Sequence, residues 1–260
     1  MFDRTEYFIE GDCYSASLSS VPWDSATFDT KIFNLSQVHY ANTKGLDELL
    51  QNVEIRAVNL KSELTITRVK QSDLVLIHAL EAHGYRYIEA NYQPKLHLDD
   101  LTFKTLYALK ITKCTPEEVI SISEEVGDMF KYGRYHQDLR TPNELADARY
   151  KNWLVNALES SNQTVYKCID ESGATISFFV VETGCLDIAF LSLVGMLDAF
   201  RGKGMAKSVW NTMIKFLQDN GIKTVSTSIS SHNIAVFNLY VSLGFSFPEP
   251  ELTFHKWHTK

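Results

Sequence analysis

The sequence predicts an α/β fold with a mixed sheet, on three observations. Two strand-like segments, "QTVYKCID" and "TISFFVVET", meet at the turn-like "ESGA". A longer apolar strand, "CLDIAFLSLVGML", follows. Strand and helix patterns then alternate to the end, which implies a mixed sheet with helices packed on it. With 260 residues the chain is long enough for one large domain or two small ones.

From the start, residues 54–60 ("EIRAVNL") and 63–69 ("ELTITRV") read as short strands rich in β-branched residues. Ser72 and Asp73 open a helix-like apolar run that Gly84 would close. The "YRYIEANYQ" after it alternates as a strand should. The first hundred residues thus read as a small α/β unit. "TPEEVISISEEVGDMF" begins with proline at the first helical position and acids in the first turn, a strong helix start. Lys131–Pro142 reads as a polar, aromatic loop between two helices, the second carrying Leu145, Ala148, Trp153, Leu154 and Leu158. Long loops of that composition in compact domains often carry function.

In the last hundred residues, Met205, Val209, Met213, Phe216 and Leu217 lie on one face of a helix that ends at Gly221. "IKTVSTSIS" reads as a strand, "NIAVFNLYVSLG" as a helix and "FSFPEPELTFHKW" as closing strand material.

Bulk properties narrow the function. Net charge is -7 with no Lys/Arg-rich run, which speaks against general nucleic-acid binding but not against a local basic pocket. No apolar run reaches membrane-spanning length, so no membrane partner is expected. The N-terminus lacks the basic and apolar regions of a secretory signal. The cysteines, Cys13, Cys114, Cys168 and Cys185, have no zinc or disulfide spacing and suit a reducing cytoplasm. No metal is expected: HExxH is absent, and His255 and His258 beside Trp257 have no ligand partner at metal spacing.

The sharpest local signal is "LDAFRGKGMAKSVW". It joins an apolar strand to a helix start, where unpartnered amides and the positive end of the helix dipole favour an anion. Gly202 and Gly204 would let the backbone approach that anion without a Cβ in the way. Neither a dinucleotide fingerprint nor a P-loop is present. An ordinary tight turn with solvated basic residues would look the same at this level.

Arg201-Gly202-Lys203-Gly204-Met205-Ala206 resembles the [QR]-x-x-G-x-[GA] motif of the GNAT superfamily of N-acetyltransferases. "NIAVFNLYVSLGF", from Asn233 to Phe245, resembles that family's Asn-x-x-Ala-x-x-x-Tyr-x-x-x-Gly-Phe segment. The resemblance spans roughly Gln163–Trp257. It implies that Arg201–Ala206 and Lys207 hold the pyrophosphate of acetyl-CoA, that Asn233 contacts it, and that the backbone of Val194, Gly195 and Met196 holds the pantetheine arm on a splayed strand. It also makes Tyr240 the acid that protonates the departing thiolate; a core tyrosine is the alternative. Capping alone also explains Asn233.

More weakly, "VPWDSATFDTKIFNL" and "GRYHQDLRTPNELADARYKNWL" are similar to acetyltransferases of nucleotide-linked amino deoxysugars, the TDP-fucosamine acetyltransferase type. In those a truncated GNAT-like half precedes the full one. The expected division is therefore 1–112 for the truncated half and 113–260 for the acetyltransferase, which includes the 131–142 loop. On this reading Arg134, Tyr135, His136 and Arg140, with Asp138 nearby, contact the acceptor, since guanidinium groups fork onto phosphate and tyrosine stacks. A charged surface loop is the plain alternative.

One position departs from the family. Ser228 stands where many relatives carry a glutamate base, which leaves a water, an already neutral amine, Glu182 or Asp187 to serve. The expected activity is acetyl-CoA-dependent N-acetylation of a small amine, with a nucleotide amino sugar foremost. A protein N-terminus, lysine or polyamine acceptor, or a non-catalytic acetyl-CoA-binding module, stays open. A homodimer is compatible with the sequence.

Overall fold

The computed structural model describes residues 4–99, 101, 106–185 and 187–258. Along the chain run β1 (Glu6–Gly11), β2 (Tyr14–Ser20), α1 (Pro22–Phe28), β3 (Ile32–Tyr40), α2 (Thr43–Asn59), β4 (Leu64–Lys70), α3 (Leu74–Ala82) and β5 (Arg86–Tyr92). Next come β6 (Lys95–His97), β7 (Lys110–Lys113), α4 (Pro116–Val126), α5 (Arg134–Gln137) and α6 (Asn143–Asn156). The remainder is β8 (Gln163–Ile169), β9 (Thr175–Cys185), β10 (Ile188–Met196), α7 (Ala206–Asp219), β11 (Thr224–Thr227), β12 (Ile229–Ser230), α8 (Ile234–Leu243) and β13 (Glu251–Trp257).

These elements form two compact units that do not follow a single cut at 112. One holds residues 1–91, 134–145 and 249–260; the other holds 92–133 and 146–248. The reason is strand placement. The last strand, β13, pairs with β4 from Glu251↔Lys70 to Trp257↔Leu64 and with β5, so the C-terminal segment completes the first unit. Conversely, β6 pairs with β11 and belongs to the second.

In the first unit the strands run β1-β2-β3-β4-β13-β5. One sheet face is apolar: Leu18, Leu35 and Phe254 share a core with Leu46, Leu49, Leu50 and Val53 of α2 and Leu76 and Leu80 of α3. The other face is polar. Ser19, Asn34, Ile66 and His255 stand in one row across four strands, followed by Arg68, Thr253 and Glu89.

The expected strand at 54–60 is instead the last part of α2. Asn42 caps that helix by accepting from the Gly45 N–H at 2.9 Å. Leu46, Leu49, Leu50, Val53 and Ala57 form its buried stripe, with helical spacing. The β-branched residues 55 and 58 that suggested a strand are exposed, so packing of the stripe decides the conformation. The helix at Asp73 and the left-handed Gly84 are as the sequence predicts.

The second unit's sheet runs β6-β11-β10-β9-β8-β7. The apolar run in β9 is buried on both sides. Phe179 and Val181 pack with Val209, Trp210, Met213, Ile214 and Leu217 of α7, while Phe178 and Val180 pack with Val119 and Ile122 of α4 and Leu154 of α6. Thr115 and Glu118 form a full capping box at the start of α4. Among the described residues no helix is long and apolar enough to cross a membrane, and Cys13, Cys114 and Cys168 are free thiols.

Candidate functional site

The candidate cofactor site is built where two parallel strands part. β10 pairs with β11 from Ile188↔Thr224 only to Leu191↔Thr227, although β10 continues to Met196. A bulge marks the divergence: β10 advances two residues, Leu191 to Leu193, while its other partner β9 moves one, Val181 to Val180. Bulges bend strands and end pairing. Past this point Val194, Gly195 and Met196 keep their register with Phe179, Phe178 and Ser177 of β9 alone. Among the described residues no strand pairs with their other edge.

Gly195 has a packing reason of its own. A Cβ there would stand 2.5 Å from Met129 Sδ and from a Phe178 ring carbon.

The turn after β10 leads into α7. Gly202 and Gly204 have φ of 72° and 73°, and a Cβ on either would meet nothing within 4 Å. Conformation, not crowding, therefore demands glycine, and the turn is open above both residues. Met205 takes the N-cap position without a side-chain cap, so the first amides of α7 are left for an outside acceptor.

The three cations of the motif have protein partners. Arg201 Nε donates to the Met196 carbonyl at 3.0 Å, and its guanidinium lies 2.8 Å from Asp198. That ties the turn to the end of β10. Lys207 Nζ donates to the Ser242 carbonyl at 2.9 Å, neutralising the C-terminal end of α8. Lys203 lies over the Phe200 ring at 5.3 Å.

Asn233 caps α8, accepting from the Val236 N–H at 3.3 Å. Seven residues on, Tyr240 is buried at 4% exposure. It packs against Trp210 with ring centroids 4.9 Å apart and against Phe245 at 5.0 Å. Burial pushes its phenol well above the ordinary value, and a hydrogen bond with Thr227 pulls in the other direction. Thr227 Oγ1 donates onward to the Leu191 carbonyl at 2.8 Å. Sequence reasoning missed Thr227; only the strand register reveals it.

The general-base candidates are engaged. Glu182 accepts from Gln163 Nε2 at 2.7 Å, and Asp187 pairs with Lys223 at 3.5 Å. Ser228 is exposed, just past the end of β11.

The acceptor candidates of the 131–142 segment lie in the first unit. The segment is not an open loop, because Arg134–Gln137 form the short helix α5. Asp24, fully buried, accepts from Arg134 Nη2 and from the Tyr135 hydroxyl, each at 2.8 Å. Burial disfavours the Arg134 charge, but Tyr135 and Asp24 outweigh it and hold the group protonated. Tyr135 is 3% exposed, so its phenol serves Asp24 and is not presented to solvent.

A second buried carboxylate, Asp138, pairs with His255 Nδ1 at 2.7 Å and accepts from Trp257 Nε1 at 2.8 Å. Burial moves Asp138 up, but these hydrogen bonds bring it below its usual range; burial also holds His255 below its own. Arg140 is exposed and lies over the Trp257 ring at 5.1 Å, and His136 is half-buried. Asp24 lies in the "VPWDSATFDTKIFNL" stretch of the weaker resemblance, but no local feature there marks it as the partner of Arg134 and Tyr135.

Comparison with known proteins agrees with this geometry. Residues 134–245 match the model of the acetyltransferase (GNAT) family. A relative in Bacillus subtilis, the spore coat polysaccharide biosynthesis protein SpsD, is 19% identical over 92% of this chain and 82% of its own. Another from that organism, the uncharacterized N-acetyltransferase YdgE, is 24% identical over 40% of this chain and 68% of its own. Among solved structures, a tandem GNAT protein from the clavulanic acid biosynthesis pathway superposes with a TM-score of 0.68 at 14% identity, covering 99% of this chain and 84% of that one. A GCN5-related N-acetyltransferase from Sphaerobacter thermophilus gives 0.64 at 14% identity, covering 93% and 76%. The parted strands and the glycine turn at an uncapped helix both lie within residues 134–245, the segment that matches the acetyltransferase (GNAT) family model.

Proposed function

We propose that the chain uses acetyl-CoA to acetylate the amine of a small molecule, with a nucleotide-linked amino deoxysugar as the acceptor class. The divergence of β10 from β11 beside the uncapped start of α7 is the observation that carries this reading. Acetyl-CoA supplies an activated thioester; everything else falls to the chain's residues. Backbone amides at Gly202–Ala206 would take the pyrophosphate, as a helix N-terminus with permissive glycines can. The open edge at Val194–Met196 would hold the amide-rich arm by backbone hydrogen bonds.

Tyr240 would give its proton to the thiolate leaving group. Its raised pKa keeps that proton in place at neutral pH; the Thr227 hydroxyl donates to the Leu191 carbonyl, so the phenol donates to Thr227 at rest and would turn from it to the thiolate. Asn233 would act first as a cap and through it place α8.

With Ser228 in place of a carboxylate, and Glu182 and Asp187 already paired, the amine would enter neutral. A ring amine on a sugar meets that condition better than a lysine or polyamine, because neighbouring oxygens withdraw electrons. The polysaccharide named for the SpsD relative points to the same acceptor class. A thiol-release assay across a nucleoside-diphosphate amino sugar, spermidine and a lysine peptide tests this. The sugar nucleotide should turn over far faster; equal or better turnover of the polyamine would overturn the acceptor class and leave the fold standing.

A further inference from the structure

The first unit has a cavity of about 460 Å³ on the polar face of its own sheet. We infer that this cavity binds a sugar-like small molecule carrying an oxyanion, a hexose phosphate or sugar acid. The cavity is separate from the cofactor turn, because every lining residue lies in the unit that lacks it, and the inference needs no acetyl transfer.

The size is within the range that holds drug-sized ligands. The wall has the mixture that carbohydrate recognition needs. Asn34 and Gln37 offer amide groups that both donate and accept, and Trp23 on α1 is partly exposed at the rim and presents an apolar ring. Gln37 deserves its place in that wall: it is held at φ 52°, in the left-handed region, at a bulge where β3 gains a residue against β2. Bulges re-aim side chains beside binding sites, and non-glycine residues keep such a conformation only when their surroundings impose it.

The charges locate the anionic end. Arg68 and Arg134 line the cavity but each faces a carboxylate, Glu89 at 3.6 Å and Asp24 at 2.8 Å. Arg4 instead donates from Nη2 to a neutral hydroxyl, Ser19 Oγ, at 2.8 Å. Its positive charge therefore has no carboxylate in that contact and would attract the oxyanion to the β2 side. Glu251 lines the opposite side on β13.

Calorimetry on the full chain without acetyl-CoA tests the inference, using glucose 6-phosphate, glucose and inorganic phosphate. Glucose 6-phosphate has no amine, so its binding does not depend on the transferase reading. It should bind at one site, with glucose and inorganic phosphate each weaker by about tenfold or more. Arg4→Gln and Trp23→Leu, both partly or fully exposed, should each weaken glucose 6-phosphate by about tenfold while the melting temperature holds. Absence of saturable binding at millimolar ligand, or equal binding by a folded Arg4→Gln variant, would overturn the site. Equal affinity for inorganic phosphate alone would overturn its sugar component.

Discussion

Thr227 ends the pairing of β11 with Leu191 of β10 and also donates its hydroxyl to the Leu191 carbonyl at 2.8 Å, while it shares a hydrogen bond with Tyr240. One threonine therefore joins the point where the strands part to the proposed proton donor. Tyr240→Phe should keep acetyl-CoA affinity and lower turnover by about a hundredfold. Steady-state kinetics with the chemical step shown to limit the rate check this; near-normal turnover would return Tyr240 to a purely packing role.

The pH profile supplies a second check. Burial raises the Tyr240 pKa, so its acid form persists to higher pH than that of a free phenol near 10. Turnover should rise with pH as the acceptor amine loses its proton and then stay level through the weakly basic range. A basic limb below about pH 9 that vanishes in Tyr240→Phe would contradict the assigned shift.

Stability should fall on the acid side through the Asp138–His255 pair. Both groups titrate below their ordinary values of 3.8 and 6.5 in the folded chain. Between the folded and the ordinary value the unfolded chain binds more protons, so stability is present above that window and is lost as pH falls through it. Urea unfolding should show a loss beginning below about pH 6.5 from His255, and a further one below about 4 from Asp138. Asp138→Asn should cost about 1.5–3 kcal/mol at neutral pH and remove the lower step.

Arg134 and Arg140 should separate stability from acceptor binding. Arg134→Ala removes one donor from the buried Asp24 and should destabilise by about 1.5–3 kcal/mol. Arg140 is exposed, so Arg140→Ala should leave the urea midpoint nearly unchanged. A rise in the acceptor KM for Arg140→Ala, with the acetyl-CoA KM constant, is the expected signature of an acceptor contact. Unchanged acceptor kinetics would remove Arg140 from that role.

What could be read from sequence follows a physical line. The Arg201–Ala206 turn was legible because its constraint is local: two left-handed glycines, an apolar strand before and a helix after. The caps at Asp73, Thr115 and Asn233 were legible for the same reason. Residues 54–60 misled because the β-branched content there is on the exposed side, while the stripe through Leu46, Leu50, Val53 and Ala57 that fixes the helix begins before that window. The transfer of β13 into the first unit could not be read, since pairings such as Phe254↔Thr67 span most of the chain and leave no local mark. The 131–142 segment looked like a solvated loop because Asp24 and His255, its buried partners, are remote in sequence.

The central claim is that the turn at Arg201–Ala206 receives the cofactor's anionic group, and acetyl-CoA calorimetry on Gly204→Val tests it most directly. Gly204 has φ 73° and open space where a Cβ would stand, so valine both strains the turn and places methyl groups over the amides. Wild-type protein should bind acetyl-CoA at one site, and a Gly204→Val variant that retains its fold by circular dichroism should bind at least about tenfold more weakly, roughly 1.4 kcal/mol. Unchanged affinity in that folded variant would contradict the assignment of the turn.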